Sequence, residues 1–220
     1  MKLSLAATVS AFAAAWLLGA PTSHALLPSI SPGDELDYTS SSGRNEFCTL
    51  GYTYSGTDGH TYGITAGHCD AAGHIVDRAS AQRGTIVRAL VDPPHTGGAD
   101  YGLIDFGTRA MPMPFIGDSP LADEHHDPVV GQRICHTGAP SGRQCGHVTD
   151  TYGPDQYLTA DMARSIPGDS GGPVWTVHAD GRIEIIGIWL GGRTTGDGRD
   201  YGRFGALTRA LTALHTHSVD

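Results

Sequence analysis

The stretch Ser165-Ile166-Pro167-Gly168-Asp169-Ser170-Gly171-Gly172-Pro173-Val174-Trp175 gathers turn-forming residues around a serine and then runs into β-prone apolar residues. Such a serine is either a nucleophile or a small residue where the chain must bend. Gly168 to Gly172 also satisfies G-x-S-x-G, the elbow pattern of α/β architectures, which needs a strand before the serine and a helix after it. Asp180, Asp197, His215 and His217 come after Ser170, so chain order alone does not exclude that arrangement. The residues directly after the serine, however, are Gly171-Gly172-Pro173-Val174-Trp175-Thr176-Val177, a turn and then a strand. The alternation of strands and helices that an α/β fold requires is also missing. The stretch therefore points to an all-β fold.

The rest of the chain agrees. Strand-like runs recur at Cys48–Tyr54, Thr61–Thr65, His74–Val76, Thr85–Leu90, Tyr101–Phe106, Val129–Cys135, Gly146–Thr149, Pro173–Val177 and Ile183–Leu190, separated by Gly, Pro, Asp and Asn clusters. Ala110 to Pro128, with Pro112, Pro114, Pro120 and Pro128, reads as an exposed linker between two comparable sets of strands. The clearest helix runs from Ala206 to Leu214, with Leu207, Leu211 and Leu214 on one face. Two β-barrels joined by a linker, with a short helix at the C-terminus, is the expected architecture.

The first 25 residues differ from the remainder: Lys2, an apolar run from Leu3 to Ala20, and Ser23-His24-Ala25 as a small-residue cleavage site. This is the layout of a secretory signal peptide. The expected division is 1–25 as signal, 26–118 as a first barrel and 119–220 as a second barrel with the helix. Lys2 is the one charged residue of the signal, so its removal takes the net charge from −9 to −10. An acidic exported chain argues against nucleic acid or an anionic membrane as partner. Cys48, Cys69, Cys135 and Cys145 are an even set, for which export favours two disulfides. Three pairings exist, and proximity favours Cys48–Cys69 and Cys135–Cys145. No Cys-x-x-Cys pair supports zinc.

Serine needs a base to take its proton, and the base is usually a histidine oriented by a carboxylate. Of 12 histidines, His68 has the telling context, Ile64-Thr65-Ala66-Gly67-His68-Cys69, where a strand ends in a small-residue turn beside a cysteine. Asp100 opens the apolar run Tyr101-Gly102-Leu103-Ile104 and is the preferred carboxylate; Asp105, near the far end of that run, is its rival.

Thr65-Ala66-Gly67-His68-Cys69, Asp100-Tyr101-Gly102-Leu103-Ile104 and Gly168-Asp169-Ser170-Gly171-Gly172-Pro173, in that order, resemble the chymotrypsin-like serine endopeptidases. The bacterial secreted branch, the streptogrisins and α-lytic protease, is the nearer likeness. It extends through Ile30-Ser31-Pro32-Gly33-Asp34, Cys48-Thr49-Leu50-Gly51-Tyr52 and Cys135 to Gly146. The resemblance implies two antiparallel six-stranded barrels with the active site in the cleft between them. It implies Ser170 as nucleophile, His68 as base, Asp100 as its orienting carboxylate, and the N–H groups of Gly168 and Ser170 as oxyanion donors. Leu190-Gly191-Gly192 resembles the edge that pairs with extended substrate. The implied function is a secreted, monomeric endopeptidase acting on polypeptides through an acyl-enzyme, without cofactor or metal. A weakly catalytic binding protein on the same fold, and an esterase-like hydrolase using the same triad, are the competing readings.

The sequence departs from the branch in three places. Arg164 stands where a cysteine of a further disulfide is expected, so the pocket wall is reshaped; an arginine there favours acidic substrate residues if it faces the pocket. His136 occupies a position usually held by a basic residue that pairs with the aspartate before the serine, which implies a pH-dependent contact with Asp169. Only Leu26 to Ser29 separate the expected signal cleavage from Ile30, so no substantial pro-segment is expected. His125, His126, His215 and His217 read as solvated surface rather than as metal ligands.

Overall fold

The structure is a computed structural model that describes residues 26–40, 42–69, 74–196 and 198–215. The expected signal segment, Asp197 and His217 lie outside the described residues. Strand β1 (Ser29–Ile30) is short, and β2 (Glu35–Thr39) buries Leu36 and Tyr38 while its alternate residues face outward, the period of a half-buried strand. With β2, strands β3 (Asn45–Thr49), β4 (Tyr52–Ser55), β5 (Thr61–Thr65), β6 (His74–Asp77), β7 (Arg83–Val91) and β8 (Asp100–Asp105) form a seven-stranded antiparallel sheet in the order β3-β2-β6-β7-β8-β5-β4.

The two edge strands of that sheet, β3 and β4, are separated in the chain only by Leu50 and Gly51. A sheet whose opposite edges are joined so closely has to curl until they meet. The backbone shows where: Leu50 N–H still donates to Asp34 O on the β2 side (2.9 Å), while Gly51 N–H donates to Ile64 O on β5 (2.8 Å). The single strand expected over Cys48–Tyr54 is thus a kinked strand that changes partner at its middle. Counted as one, it gives the first half the six strands of a curled barrel.

Residues 110–128 depart from the exposed linker expected of them. Strand β9 (Met111–Pro112) pairs in parallel with β1, and β10 (Phe115–Ile116) forms a small hairpin with β11 (Ser119–Pro120). Ala110, Ala122 and Pro128 are buried, and Leu121 bridges to Ile183. The segment's few apolar residues are enough to lay it down as a strap.

Strands β12 (Arg133–Gly138), β13 (Gly142–Tyr152), β14 (Gln156–Ala160), β15 (Pro173–Val177), β16 (Ile183–Thr194) and β17 (Asp200–Ala206) close a six-stranded barrel in the order β12-β13-β14-β17-β16-β15. Strand β12 begins later than expected because Gln132 N–H turns back to Val129 O (2.9 Å), leaving Val129 and Val130 exposed. Ile134, Val148, Val174, Ile186, Trp189 and Phe204 fill its interior. A second core joins the curled sheet to the outer face of this barrel and to helix α1 (Leu207–His215), which buries Leu207, Ala210 and Leu214. The fold is mostly β with one short helix among the described residues, the chymotrypsin fold. Cys48 is bonded to Cys69, and Cys135 to Cys145.

Candidate active site

His68 leaves β5 through a single turn of 3-10 helix, Gly67–Cys69, and Cys69 ties that turn to β3. The turn lies tightly against β7 and β8: a Cβ added at Gly67 would fall 2.4 Å from Leu90 O and 2.8 Å from Tyr101 N. Only glycine permits that approach. It brings His68 to Asp100 at the start of β8. Asp100 Oδ1 accepts the His68 backbone N–H at 2.9 Å, and Oδ2 lies 2.9 Å from the imidazole Nδ1. An ionised carboxylate can only accept, so Nδ1 carries the proton and Nε2 is left as an acceptor. Asp100 is buried, whereas the His68 side chain is 39% exposed and reaches the surface of the cleft. Asp105 serves a different histidine: both its oxygens lie within 3.0 Å of His60 Nδ1, which raises the pKa of His60.

Ser170 approaches from the other half. Its carbonyl accepts the N–H of Thr49 (2.8 Å) and lies 4.0 Å from Cys69 Sγ, next in sequence to His68. Thr49, which the sequence did not single out, braces this loop further: its hydroxyl donates to Gly168 O (2.7 Å) and accepts from Ala139 N (2.9 Å). The loop's N–H groups then divide into two kinds. Those of Asp169, Gly171 and Gly172 are spent on Ile166 O, Trp189 O and Asp169 O, at 3.2, 2.7 and 3.1 Å. Those of Gly168 and Ser170 donate to nothing among the described residues. Gly168 has φ +98°, and the Phe47 ring lies so near that a Cβ would meet it at 2.1 Å. An L side chain is excluded there by backbone and neighbour alike.

The expected substrate-binding residues are divided between two cavities. Arg164 and Gly192 line one of about 480 Å³, together with Ser165, Thr159 and Tyr201. Leu190 lines another of about 280 Å³ with His68, Asp100 and Arg203. Gly191, at φ +102°, lies between Leu190 and Gly192 beside the β16 bulge. The Leu190 carbonyl accepts from Arg203 Nη2 (3.2 Å). Among the described residues, no group of three or more His, Cys, Asp or Glu is placed to hold a metal, and no helix is long and apolar enough to cross a membrane.

The sequence profile described as Trypsin matches residues 55–214, which includes His68, Asp100 and Ser170. The chain belongs to the trypsin family. Rv1815 of Mycobacterium tuberculosis, described as an uncharacterized protein, is 30% identical over 84% of this trypsin-family chain and 83% of its own length. Serine protease 2 of Streptomyces fradiae is 29% identical over 65% of this chain and 86% of its own. Among solved structures, protease A of Thermobifida fusca superposes with a TM-score of 0.63 at 20% identity, covering 84% of this chain and 96% of that one.

Two histidine readings change on this trypsin-family scaffold. His136 is fully buried and does not hydrogen-bond to Asp169; it stacks flat on Trp189, with ring centroids 4.1 Å apart and planes within 6°. Burial pushes its pKa down to about 4 despite the opposing charge of Asp169, so it does not titrate near neutrality. Asp169 instead accepts the Ile166 N–H at 2.9 Å and the more distant Ser165 hydroxyl at 3.4 Å. Trp189 completes the arrangement by donating its indole N–H to Ser165 Oγ (3.0 Å). His125 and His126 are not simply solvated. His125 bonds Tyr52 OH and Ile185 O (3.0 and 3.2 Å), and His126 pairs with the buried Glu184, whose other oxygen meets His178. They pin the strap to both halves.

Proposed function

We propose that this chain is a secreted serine endopeptidase using Ser170, His68 and Asp100. The observation that carries the reading is the Asp100–His68 pair, which fixes the tautomer with Nε2 free, in a cleft where the Ser170 loop also keeps two N–H groups unspent. In the proposed reaction the Ser170 hydroxyl adds to the scissile carbonyl as His68 Nε2 takes its proton. The oxyanion receives the N–H groups of Gly168 and Ser170. His68 then returns the proton to the leaving amine, and the ester left on Ser170 is hydrolysed by water activated in the same way. Substrate would lie extended along Leu190, Gly191 and Gly192. Export is supported by the apolar leader in the sequence and by the two disulfides.

Treatment of the purified protein with a serine-reactive organophosphonate, with the adduct mapped by mass spectrometry, tests this directly. Labelling at Ser170 together with casein cleavage is expected. Folded protein that takes no label there would sink the catalytic reading in favour of a binding protein, and ester turnover without peptide turnover would favour an esterase.

A further inference from the structure

Resting on the hydrolytic reading of Ser170, we propose that this enzyme cleaves after acidic residues, and that Arg164 recognises the substrate carboxylate. The cavity of about 480 Å³ is the place for that side chain, because it opens between the loop leading to Ser170 and the β16 edge on which substrate would lie. The edge does not obstruct it: a Cβ at Gly191 would meet nothing within 4 Å, and one at Gly192 would come no closer than 3.8 Å to any atom.

Four charged side chains line the cavity, and three of them are already engaged. Asp161 pairs with His147 at 3.0 Å, and Asp200 accepts the Thr194 hydroxyl at 2.5 Å. Arg193 lies 4.2 Å over the Tyr152 ring and meets His95 Nδ1 at 3.0 Å. Arg164 alone of the four has no hydrogen bond, ion pair or ring contact among the described residues.

The nearby hydroxyl reinforces the sign. Ser165 Oγ accepts from Trp189 Nε1 and still has its own proton to donate to a substrate carboxylate. Its internal acceptor, Asp169 Oδ2, is 3.4 Å away, a long contact that a better-placed carboxylate would displace. Behind the cavity the Trp189 indole fills the space at Gly202, where a Cβ would fall 2.1 Å from the ring. A guanidinium and a hydroxyl, backed by an aromatic wall, suit the short, planar, acceptor-only end of Glu or Asp. The chain as a whole carries 23 Asp and Glu against 14 Lys and Arg, so the cation at this cavity runs against the general charge.

Because Arg164 is exposed, its attraction is screened, and the discrimination it gives is moderate and salt-sensitive. Matched peptides differing only in Glu, Gln, Leu or Lys before the cleaved bond should show Glu ahead of Gln by about tenfold or more in kcat/KM, shrinking with added salt. Arg164→Ala should bring the Glu/Gln ratio near one through KM, and Arg164→Lys should keep part of it. Protein that is labelled at Ser170 but prefers Leu or Lys, or whose Glu preference survives Arg164→Ala, overturns the assignment. Absence of labelling at Ser170 removes the hydrolytic reading, and the specificity claim with it.

Discussion

Asp100 holds His68 at two points, its Oδ1 on the backbone N–H and its Oδ2 on the imidazole Nδ1, each at 2.9 Å. The first contact fixes the turn and the second fixes the ring. Asp100→Asn keeps the size but replaces an acceptor-only group with one that can present an amide N–H to Nδ1, favouring the wrong tautomer. Turnover of a peptide substrate should fall about 10⁴-fold with the fold intact. Asp105→Asn, which disturbs the His60 pair and the Gly107 N–H contact but nothing that touches His68, should leave kcat near the parental value. A comparable loss in both variants would move the orienting carboxylate away from Asp100.

Gly168 offers a second test, because two separate obstacles meet there: φ +98° and the Phe47 ring. Gly168→Ala should reduce kcat by about 10² or more, the cost of misplacing an oxyanion donor, while far-ultraviolet circular dichroism is unchanged. Adding Phe47→Ala removes the ring but not the backbone strain, so it should recover only part of the rate. Full recovery would show that the ring alone dictated the glycine.

Strands with clean apolar runs were readable from sequence: Thr61–Thr65 and Pro173–Val177 match the observed bounds, and the helix is displaced by one residue. Strand β17 was not, because Asp200-Tyr201-Gly202-Arg203-Phe204-Gly205-Ala206 has the composition of a loop. Its glycines exist for reasons distant in the chain, the Trp189 ring against Gly202 and the Tyr101 ring against Gly205. The same limit applies at the site. His68, Asp100 and Ser170 sit in distinctive local motifs, whereas Thr49, inside the matching stretch Cys48–Tyr52, and Phe47 act on the serine loop from more than a hundred residues away, a role that their local sequence does not display. His136 misled because its depressed pKa is a property of burial under Trp189, which a lone sequence position does not display.

Trp189→Phe isolates the link between barrel interior and substrate cavity. The substitution keeps an aromatic ring on His136 but removes the N–H donated to Ser165 and part of the ring volume that fills the barrel interior. A loss of about 2 kcal/mol or more in unfolding free energy is expected, about 1 from the part-buried hydrogen bond and the rest from the vacated core volume. Ser165 should then be less well held, raising KM several-fold with little change in kcat. An effect on kcat alone would place Trp189 in support of the serine rather than of the cavity.

Stability against pH should expose two groups of opposite sign, the half-buried Asp34 and the buried His136. Burial, assisted by the charge of Asp77 and opposed by the Ser31 N–H, pushes the Asp34 pKa from 3.8 up to about 7. A carboxyl raised in the folded state contributes stability that is complete below its unfolded value and is lost as pH rises through about 7. His136 is lowered from 6.5 to about 4, so its contribution is complete above 6.5 and is lost as pH falls towards 4. Between about pH 4 and 6.5 the two slopes oppose and partly cancel in the parent. Asp34→Asn retains a donor towards Asp77 without titrating, so its urea midpoint should rise with pH across this window more steeply than the parent's. His136→Phe keeps a ring on Trp189 and removes the opposing slope, so its midpoint should fall with pH instead. Identical pH profiles for the parent and both variants would show that neither group is held away from its ordinary pKa.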